Sequence, residues 1–216
     1  MAWLARALSS RWLSLGLIAP IAATDLIIPW HQLGFLPRAL IDEPCHLATA
    51  GIVLGAITRM RGRPPCGWFG WALLVSAVLI DADHLPLELG SAALTAGTPR
   101  PYTHALWVSV LLAAAAGVAG YRSHRRTTPR SAALASVLAG AAWGVSAHFL
   151  RDVATAPMSL WWPVSAAPVQ VPYGWYLGAL VVIAVIPPWR SHRRSDQAGL
   201  AVGSPTPRAA PRSRLS

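Results

Sequence analysis

Histidine and aspartate residues recur in this chain at spacings that suit a metal ion. Two stretches show the spacing i, i+4, i+7: Asp42, His46 and Thr49, and then His148, Asp152 and Thr155. On an α-helix this spacing places all three side chains on one face. An imidazole and a carboxylate one turn apart can bind one ion together, or the carboxylate can orient the imidazole toward the ion.

Two further polar motifs lie between these stretches: Asp81-Ala82-Asp83-His84 and Tyr102-Thr103-His104. If the first motif is helical, Asp81 and His84 point the same way and Asp83 points away from them. Pro86 predicts that the helix ends at His84, because the residue before a proline disfavours helical backbone. Asp83 could then turn inward on irregular backbone.

Six apolar runs separate and flank these motifs, at residues 12–30, 46–58, 68–80, 103–121, 131–150 and 174–189. The chain has 216 residues, of which 54% are hydrophobic and 12% are charged, and its mean hydropathy is +0.45. This composition argues against a soluble enzyme. Since a membrane-spanning helix needs about 20 apolar residues, we predict an all-α bundle of about six transmembrane helices with no separate soluble domain.

The second and third apolar runs are too short to span a bilayer alone. They reach about 20 residues only if the polar residues beside them lie at membrane depth. These residues are Asp42, Glu43 and His46 next to the second run, and Asp81, Asp83 and His84 next to the third. We therefore expect these polar groups to be sunk into the bundle.

The basic residues indicate how the chain crosses the membrane. All 18 are arginines, the net charge is +10, and 15 of the 18 fall on one side of the predicted spans, leaving Arg38, Arg100 and Arg151 opposite. By the positive-inside rule both termini are cytoplasmic. The arginines lie between apolar runs, so we predict a multi-pass protein of the inner (plasma) membrane whose partner is the lipid bilayer, with no role in nucleic-acid binding.

The acids and histidines gather on the opposite, outer side. Seven of the eight acids and five of the seven histidines lie there, although the topology was assigned from arginines alone. So many buried charges would be costly without counter-charge, and a divalent cation supplies it. Mixed histidine and aspartate ligation suits zinc, manganese or iron. A purely structural polar network is the alternative, and Asp25, inside the first span, is open to either interpretation.

Four stretches, in order, resemble the YdjM-like family of predicted membrane-bound, metal-dependent hydrolases. They are Pro44-Cys45-His46-Leu47, Leu79-Ile80-Asp81-Ala82-Asp83-His84, Tyr102-Thr103-His104, and Ala147-His148-Phe149-Leu150-Arg151-Asp152 running on through Thr155 to Trp162-Pro163. The resemblance covers roughly residues 42 to 163. It implies that seven residues line the metal site: His46, Asp81, Asp83, His84, His104, His148 and Asp152.

The chain departs from the family pattern in one segment. The family usually has a His-Arg-Gly run before a Thr-His-Ser, whereas this chain has Pro99-Arg100-Pro101 and then Tyr102-Thr103-His104-Ala105. One possible ligand is therefore missing, and so is a hydroxyl after His104.

The resemblance leads to a concrete hypothesis for the site. The protein would hydrolyse a lipid-like ester or phosphoester at the outer membrane face with metal-activated water. Metal ligands would come from His46, Asp81, His84, His104, His148 and Asp152. Asp83 would be the general base, Asp81 would bridge or ligate, and Arg100 or Arg151 would bind an anionic part of the substrate.

Two other function classes remain open. A metal-ion or proton translocator would use Asp25 and the sunken acids as a path, but the inner halves of the spans are almost wholly apolar. A non-catalytic scaffold would use the metal only for folding.

Three regions are predicted along the chain. Residues 1–40 are an additional N-terminal span and outer loop, 41–189 form the hydrolase-like core, and 190–216 form a disordered basic cytoplasmic tail. The first span could instead be a signal peptide, because Arg6 and Arg11 precede it and small residues follow it.

Overall fold

The computed structural model describes residues 1–27, 33–95, 98, 100–126 and 129–188. The predicted tail at 190–216, together with His31 and Pro99, lies outside the described residues. Within them every regular element is helical. The elements are α1 Ala2–Leu8, α2 Arg11–Ile27, α3 Phe35–Arg61, α4 Gly67–Leu79, a 3₁₀ turn Ile80–His84, α5 Leu85–Glu88, α6 Leu106–Arg126, α7 Pro129–Thr155 and α8 Tyr173–Val185.

The all-α membrane bundle predicted from the sequence is confirmed. Four helical segments in the described part of the chain are long and apolar enough to cross a membrane: Leu36–Arg61, Gly67–Glu88, Leu106–Arg125 and Pro129–Thr155. The predicted first and sixth spans correspond to α2, with 17 residues, and α8, with 13. At 1.5 Å per residue α8 is about 20 Å long, short of the hydrocarbon core of about 30 Å.

The polar residues beside the two short apolar runs lie within the helical segments, as expected. The span within α3 starts at Leu36, well before Asp42. The span from Gly67 to Glu88 continues through Asp81 and His84. The predicted helix end at His84 is wrong. The chain passes through the 3₁₀ turn into α5, and Pro86 lies in the first turn of that helix, where a missing N–H costs nothing.

Close packing between α4 and α7 depends on two glycines of α7. A Cβ atom at Gly140 would collide with the carbonyl of Phe69, and one at Gly144 would collide with the carbonyl of Leu73 and the hydroxyl of Ser76. Small residues at such spacing let helix backbones approach in a membrane. Gly174 and Gly178 in α8 have the same four-residue spacing, but a Cβ atom at either would meet open space. This pair therefore serves no close contact in the described residues.

We expect Gly144→Ala to destabilise the protein by about 1–3 kcal/mol, because the added methyl group must push α4 away from α7. Gly178→Ala is the matched control and should be neutral or slightly stabilising, since alanine favours helix and the methyl group meets nothing. Thermal unfolding in detergent measures both. Equal melting temperatures for the two variants would contradict the close contact.

Arg59 holds the end of the bundle that the arginines predict to be cytoplasmic. Its guanidinium donates to the carbonyls of Ile183 at 2.7 Å and Ile186 at 3.3 Å, and to that of Ser9 at 3.3 Å. A cation at the C-terminus of α8 also interacts favourably with the helix dipole. Arg59 thus joins α3, α8 and the link between α1 and α2.

Candidate metal centre

The predicted polar motifs meet at one end of the bundle. The N-terminal part of α3, the 3₁₀ turn after α4, the loop before α6 and the C-terminal part of α7 all reach that end. Four side chains there place one ligand atom each within 4.8 Å of the others: Asp81, His104, His148 and Asp152. His104, His148 and Asp152 are at most 1% exposed. Residues 71 positions apart in sequence thus form one cluster.

His148 presents an unprotonated nitrogen to this cluster when its ring is neutral. Its Nδ1 lies 2.8 Å from the carbonyl oxygen of Ala77, and a carbonyl only accepts hydrogen bonds, so Nδ1 carries the proton. Nε2 then offers its lone pair, 3.1 Å from Asp152 Oδ2 and 3.4 Å from Asp81 Oδ1. A backbone carbonyl that fixes the tautomer in this way is typical of metal-binding histidines.

His104 is oriented by a carboxylate. Its Nδ1 lies 3.0 Å from Asp83 Oδ2, its Nε2 lies 3.0 Å from Asp81 Oδ1, and Thr103 donates its hydroxyl to the same oxygen of Asp83. Burial favours the neutral ring, but the hydrogen bonds to Asp81 and Asp83 outweigh it and raise the pKa of His104. This position therefore attracts positive charge, as a proton or as a metal ion.

The cluster fits a divalent cation by the chemistry of its donors. With its Nδ1–H donating to Ala77, neutral His148 turns a lone pair toward the oxygens of Asp81 and Asp152. His104 lies between Asp83 and Asp81, with one ring nitrogen 3.0 Å from each carboxylate. Four acceptors that face one another repel unless a proton or a metal ion lies between them. Two imidazoles and two carboxylates are also a ligand set that zinc, manganese and iron accept.

His84 and Asp83 form a second group around Asp81. His84 Nε2 lies 3.9 Å from Asp81 Oδ1 and 3.8 Å from Asp83 Oδ1. Asp83 Oδ1 and His84 Nε2 are both buried and have no hydrogen-bond partner among the described residues. Together with His104, these residues make an alternative or additional ion site, in which Asp83 has turned inward on the 3₁₀ backbone.

His46 borders the cluster, with its Nε2 3.4 Å from Asp152 Oδ1, and also belongs to the network of Arg151. Its ring stacks on that of His148 with centroids 3.8 Å apart, and Arg151 Nη1 lies 2.9 Å from its Nε2. A guanidinium only donates, so the Nε2 lone pair of His46 points to Arg151. His46 also belongs to a third ligand group with Asp42 and Asp81, but this hydrogen bond competes with a metal ion for Nε2.

Arg151 is buried between acids and ties the first span to the core. Its guanidinium pairs with Asp25 of α2 and with Asp42 of α3, and Tyr173 donates to Asp25 Oδ2 at 2.7 Å. Asp25, left open by the sequence, is therefore the partner of Arg151. Arg151 is 1% exposed, which places it away from any substrate in the cleft.

A cleft of about 140 Å³ opens beside the cluster. Its lining residues are Arg38, Ala39, Asp42, Glu43, Asp81, His84, Glu88 and Arg100. Arg100 pairs with Asp152, so this predicted substrate-binding arginine does reach the site. Thr155 does not: its hydroxyl donates to the Asp152 carbonyl of its own helix at 3.3 Å.

Glu43 is the site residue that the sequence interpretation left without a role. It lies in the cleft beside Asp81, and its Oε2 is buried with no hydrogen-bond partner among the described residues. The sequence signal that could have placed Glu43 at the site was its position directly after Asp42 and four residues before Leu47. Besides Asp81, three carboxylates line the cleft, those of Asp42, Glu43 and Glu88, and its lining also contains Arg38 and Arg100.

The comparison with protein families agrees with this geometry. The family model described as YdjM inner membrane protein matches residues 41–204, well over half of the chain. The chain belongs to the YdjM family. It is an inner membrane protein, as its apolar helices predict. The YdjM match includes every residue of the metal cluster and leaves out Asp25. No curated protein and no solved structure matches the chain.

Proposed function

We propose that this YdjM family member is a metal-dependent hydrolase that acts on a lipid-like ester or phosphoester at the outer membrane face. The observation that carries the proposal is the convergence of Asp81, His104, His148 and Asp152, with the His148 tautomer set by Ala77 and the His104 ring held between Asp81 and Asp83. Ligands preorganised by such partners favour a bound ion over a loose polar network. The arginine distribution supports the outer face.

Four residues of the chain would hold the ion: His104 and His148 through Nε2, and Asp81 and Asp152 through carboxylate oxygens, while His84 at the cleft belongs to the second group. A bound divalent ion lowers the pKa of water toward about 7 and polarises the group under attack. His46 stays in the network of Arg151 and supports the ring of His148.

The proton from water requires a base with a free oxygen in the cleft. Asp83, the base expected from the sequence, already accepts from His104 and Thr103 through Oδ2, so we assign it to orienting His104. Glu43 also has an unpartnered oxygen and, unlike Asp83, lines the cleft, so it is the better candidate for general base. Arg100, at the cleft, would bind an anionic group of the substrate.

Glu43→Gln and Asp83→Asn separate these roles. We expect Glu43→Gln to retain the metal and to lower kcat by about 10²–10⁴-fold. Asp83→Asn should weaken metal affinity by about 10–100-fold, because His104 loses its orienting carboxylate. Metal titration and turnover measure both, with Glu88→Gln as the charge-matched control. If Asp83→Asn instead kept its metal and lost turnover, Asp83 would be the base.

Turnover by the purified protein tests the function. Protein stripped with a chelator is reloaded with zinc, manganese or iron(II) and assayed in proteoliposomes against phospholipids and chromogenic esters and phosphoesters. We expect metal-dependent hydrolysis of at least one class. A tightly bound ion with no turnover on the whole panel would favour the scaffold, and ion flux across the vesicles would favour the translocator.

The described interior speaks against translocation. Below the cluster the core between α3 and α4 consists of apolar side chains such as Val53, Leu54 and Leu73. A transport path needs polar groups that continue across the membrane. The hydrolase is therefore the function that the geometry supports best.

A further inference from the structure

An apolar groove of about 430 Å³ lies on the membrane-facing side of the bundle. Leu47 of α3 forms one wall, and Trp71, Val75, Val78 and Leu79 of α4 contribute to the other. Several of these side chains are well exposed, Leu79 at 64% and Trp71 at 53%. Leu4 of α1 also lines the groove.

The residues that line the groove and those that line the polar cleft follow one another along the same two helical segments. On α3, Leu47 stands one turn after Glu43, which lines the cleft. On α4, Val75 and Val78 lead at helical spacing to Asp81, the shared ligand of the candidate metal centre. Both helices that form the groove thus carry, at one end of it, a carboxylate of the site.

The far end of the groove is closed by the N-terminal helix. Met1 lies against Gly67 and Gly70 at the start of α4, and Leu4 follows one turn later. From Leu79 to Trp71 the groove runs about 12 Å at 1.5 Å per residue, close to the half-thickness of about 15 Å of a bilayer core. Since α4 begins at Gly67 on the side predicted to be cytoplasmic, this length runs inward from the level of the metal cleft, as a hydrocarbon chain attached to a headgroup there would.

We propose that this groove binds one hydrocarbon chain of a lipid substrate whose headgroup lies in the metal cleft. An apolar groove beside a cleft that contains Arg38 and Arg100 complements an amphiphile with an anionic headgroup. The assignment of the headgroup rests on the proposed hydrolase, whereas binding of the chain does not. The substrate class is thus an anionic lipid with a long acyl chain.

Photocrosslinking tests the chain site without any turnover. The full-length protein is reconstituted in phosphatidylcholine vesicles that contain a small fraction of phosphatidylglycerol with a diazirine near the middle of one acyl chain. We expect crosslinks at Leu47, Val75 and Val78 in several-fold excess over those at Val110 and Leu111, which face lipid on α6. Crosslinks of equal yield on α4 and α6 would mean ordinary lipid contact and would overturn the proposal.

A groove-filling variant gives a second readout. Val75→Trp should remove most of the excess crosslinking and lower the ratio of long-chain to short-chain substrate turnover at least tenfold, whereas Val110→Trp should change neither. An unchanged ratio and an unchanged crosslink pattern in Val75→Trp would overturn the chain site while leaving the hydrolase intact. Crosslinking confined to the groove with no hydrolysis of any lipid would support the chain site and reject the hydrolase.

Discussion

We expect Asp81→Asn to abolish tight metal binding, with a loss of affinity of at least about 100-fold. Oδ1 of Asp81 lies 3.0 Å from His104 Nε2 and 3.4 Å from His148 Nε2, so this single oxygen is shared by both imidazoles. Asparagine keeps the size of the side chain but removes the negative charge that attracts the cation. Turnover should fall with the metal.

Metal titration by calorimetry, with metal content by mass spectrometry, measures the effect of Asp81→Asn. Glu88→Gln is the matched control, since it removes one carboxylate from the rim of the same cleft. Circular dichroism of the variant should show the helical spectrum of the parent. Metal bound by Asp81→Asn with the affinity of the parent protein would place the ion elsewhere.

Asp25→Ala should destabilise the protein by about 2–3 kcal/mol, because the buried Arg151 guanidinium loses one of its two carboxylate partners and keeps only Asp42. The Arg151 guanidinium is 1% exposed and the Asp25 side chain 3% exposed, so water cannot replace the lost carboxylate. Tyr173 loses its acceptor at the same time. The contact between α2 and the ends of α7 and α8 should loosen first.

A double-mutant cycle isolates this ion pair. Asp25→Asn with Arg151→Met should recover part of the stability lost by either single variant, because both charges of the buried pair are removed together and Asp42, the other partner of Arg151, is 28% exposed. Unfolding in mixed micelles at increasing denaturing detergent provides the free energies. Additive losses in the double variant would show that Asp25 and Arg151 do not stabilise each other.

The membrane bundle and the meeting of the motifs could be predicted because they depend on composition and periodicity. Apolar runs predict the spans. Placing most arginines on the cytoplasmic side leaves His104 and Asp152 together at the outer end of the bundle. Because the apolar run at 68–80 is too short to span a bilayer alone, Asp81 was expected to lie inside a helical segment. These inferences need no knowledge of how side chains pack.

The division of labour within the site could not be predicted in the same way. Asp42, His46 and Thr49 share a helix face. The sequence cannot show, however, that Arg151 donates a hydrogen bond to His46 Nε2, or that the hydroxyls of Thr49 and Tyr176 lie 2.6 Å apart. Glu43 gained importance only from its free oxygen in the cleft. Such roles depend on contacts between residues more than one hundred positions apart.

X-ray absorption at the zinc edge of the zinc-loaded protein examines the immediate surroundings of the ion. One zinc per chain should show nitrogen and oxygen neighbours at about 2.0–2.2 Å, including the outer-shell scattering of two imidazoles. That imidazole signal should weaken in His148→Ala. Zinc that binds below one equivalent, or whose spectrum shows sulfur neighbours or no imidazole, would contradict a metal centre built by Asp81, His104, His148 and Asp152.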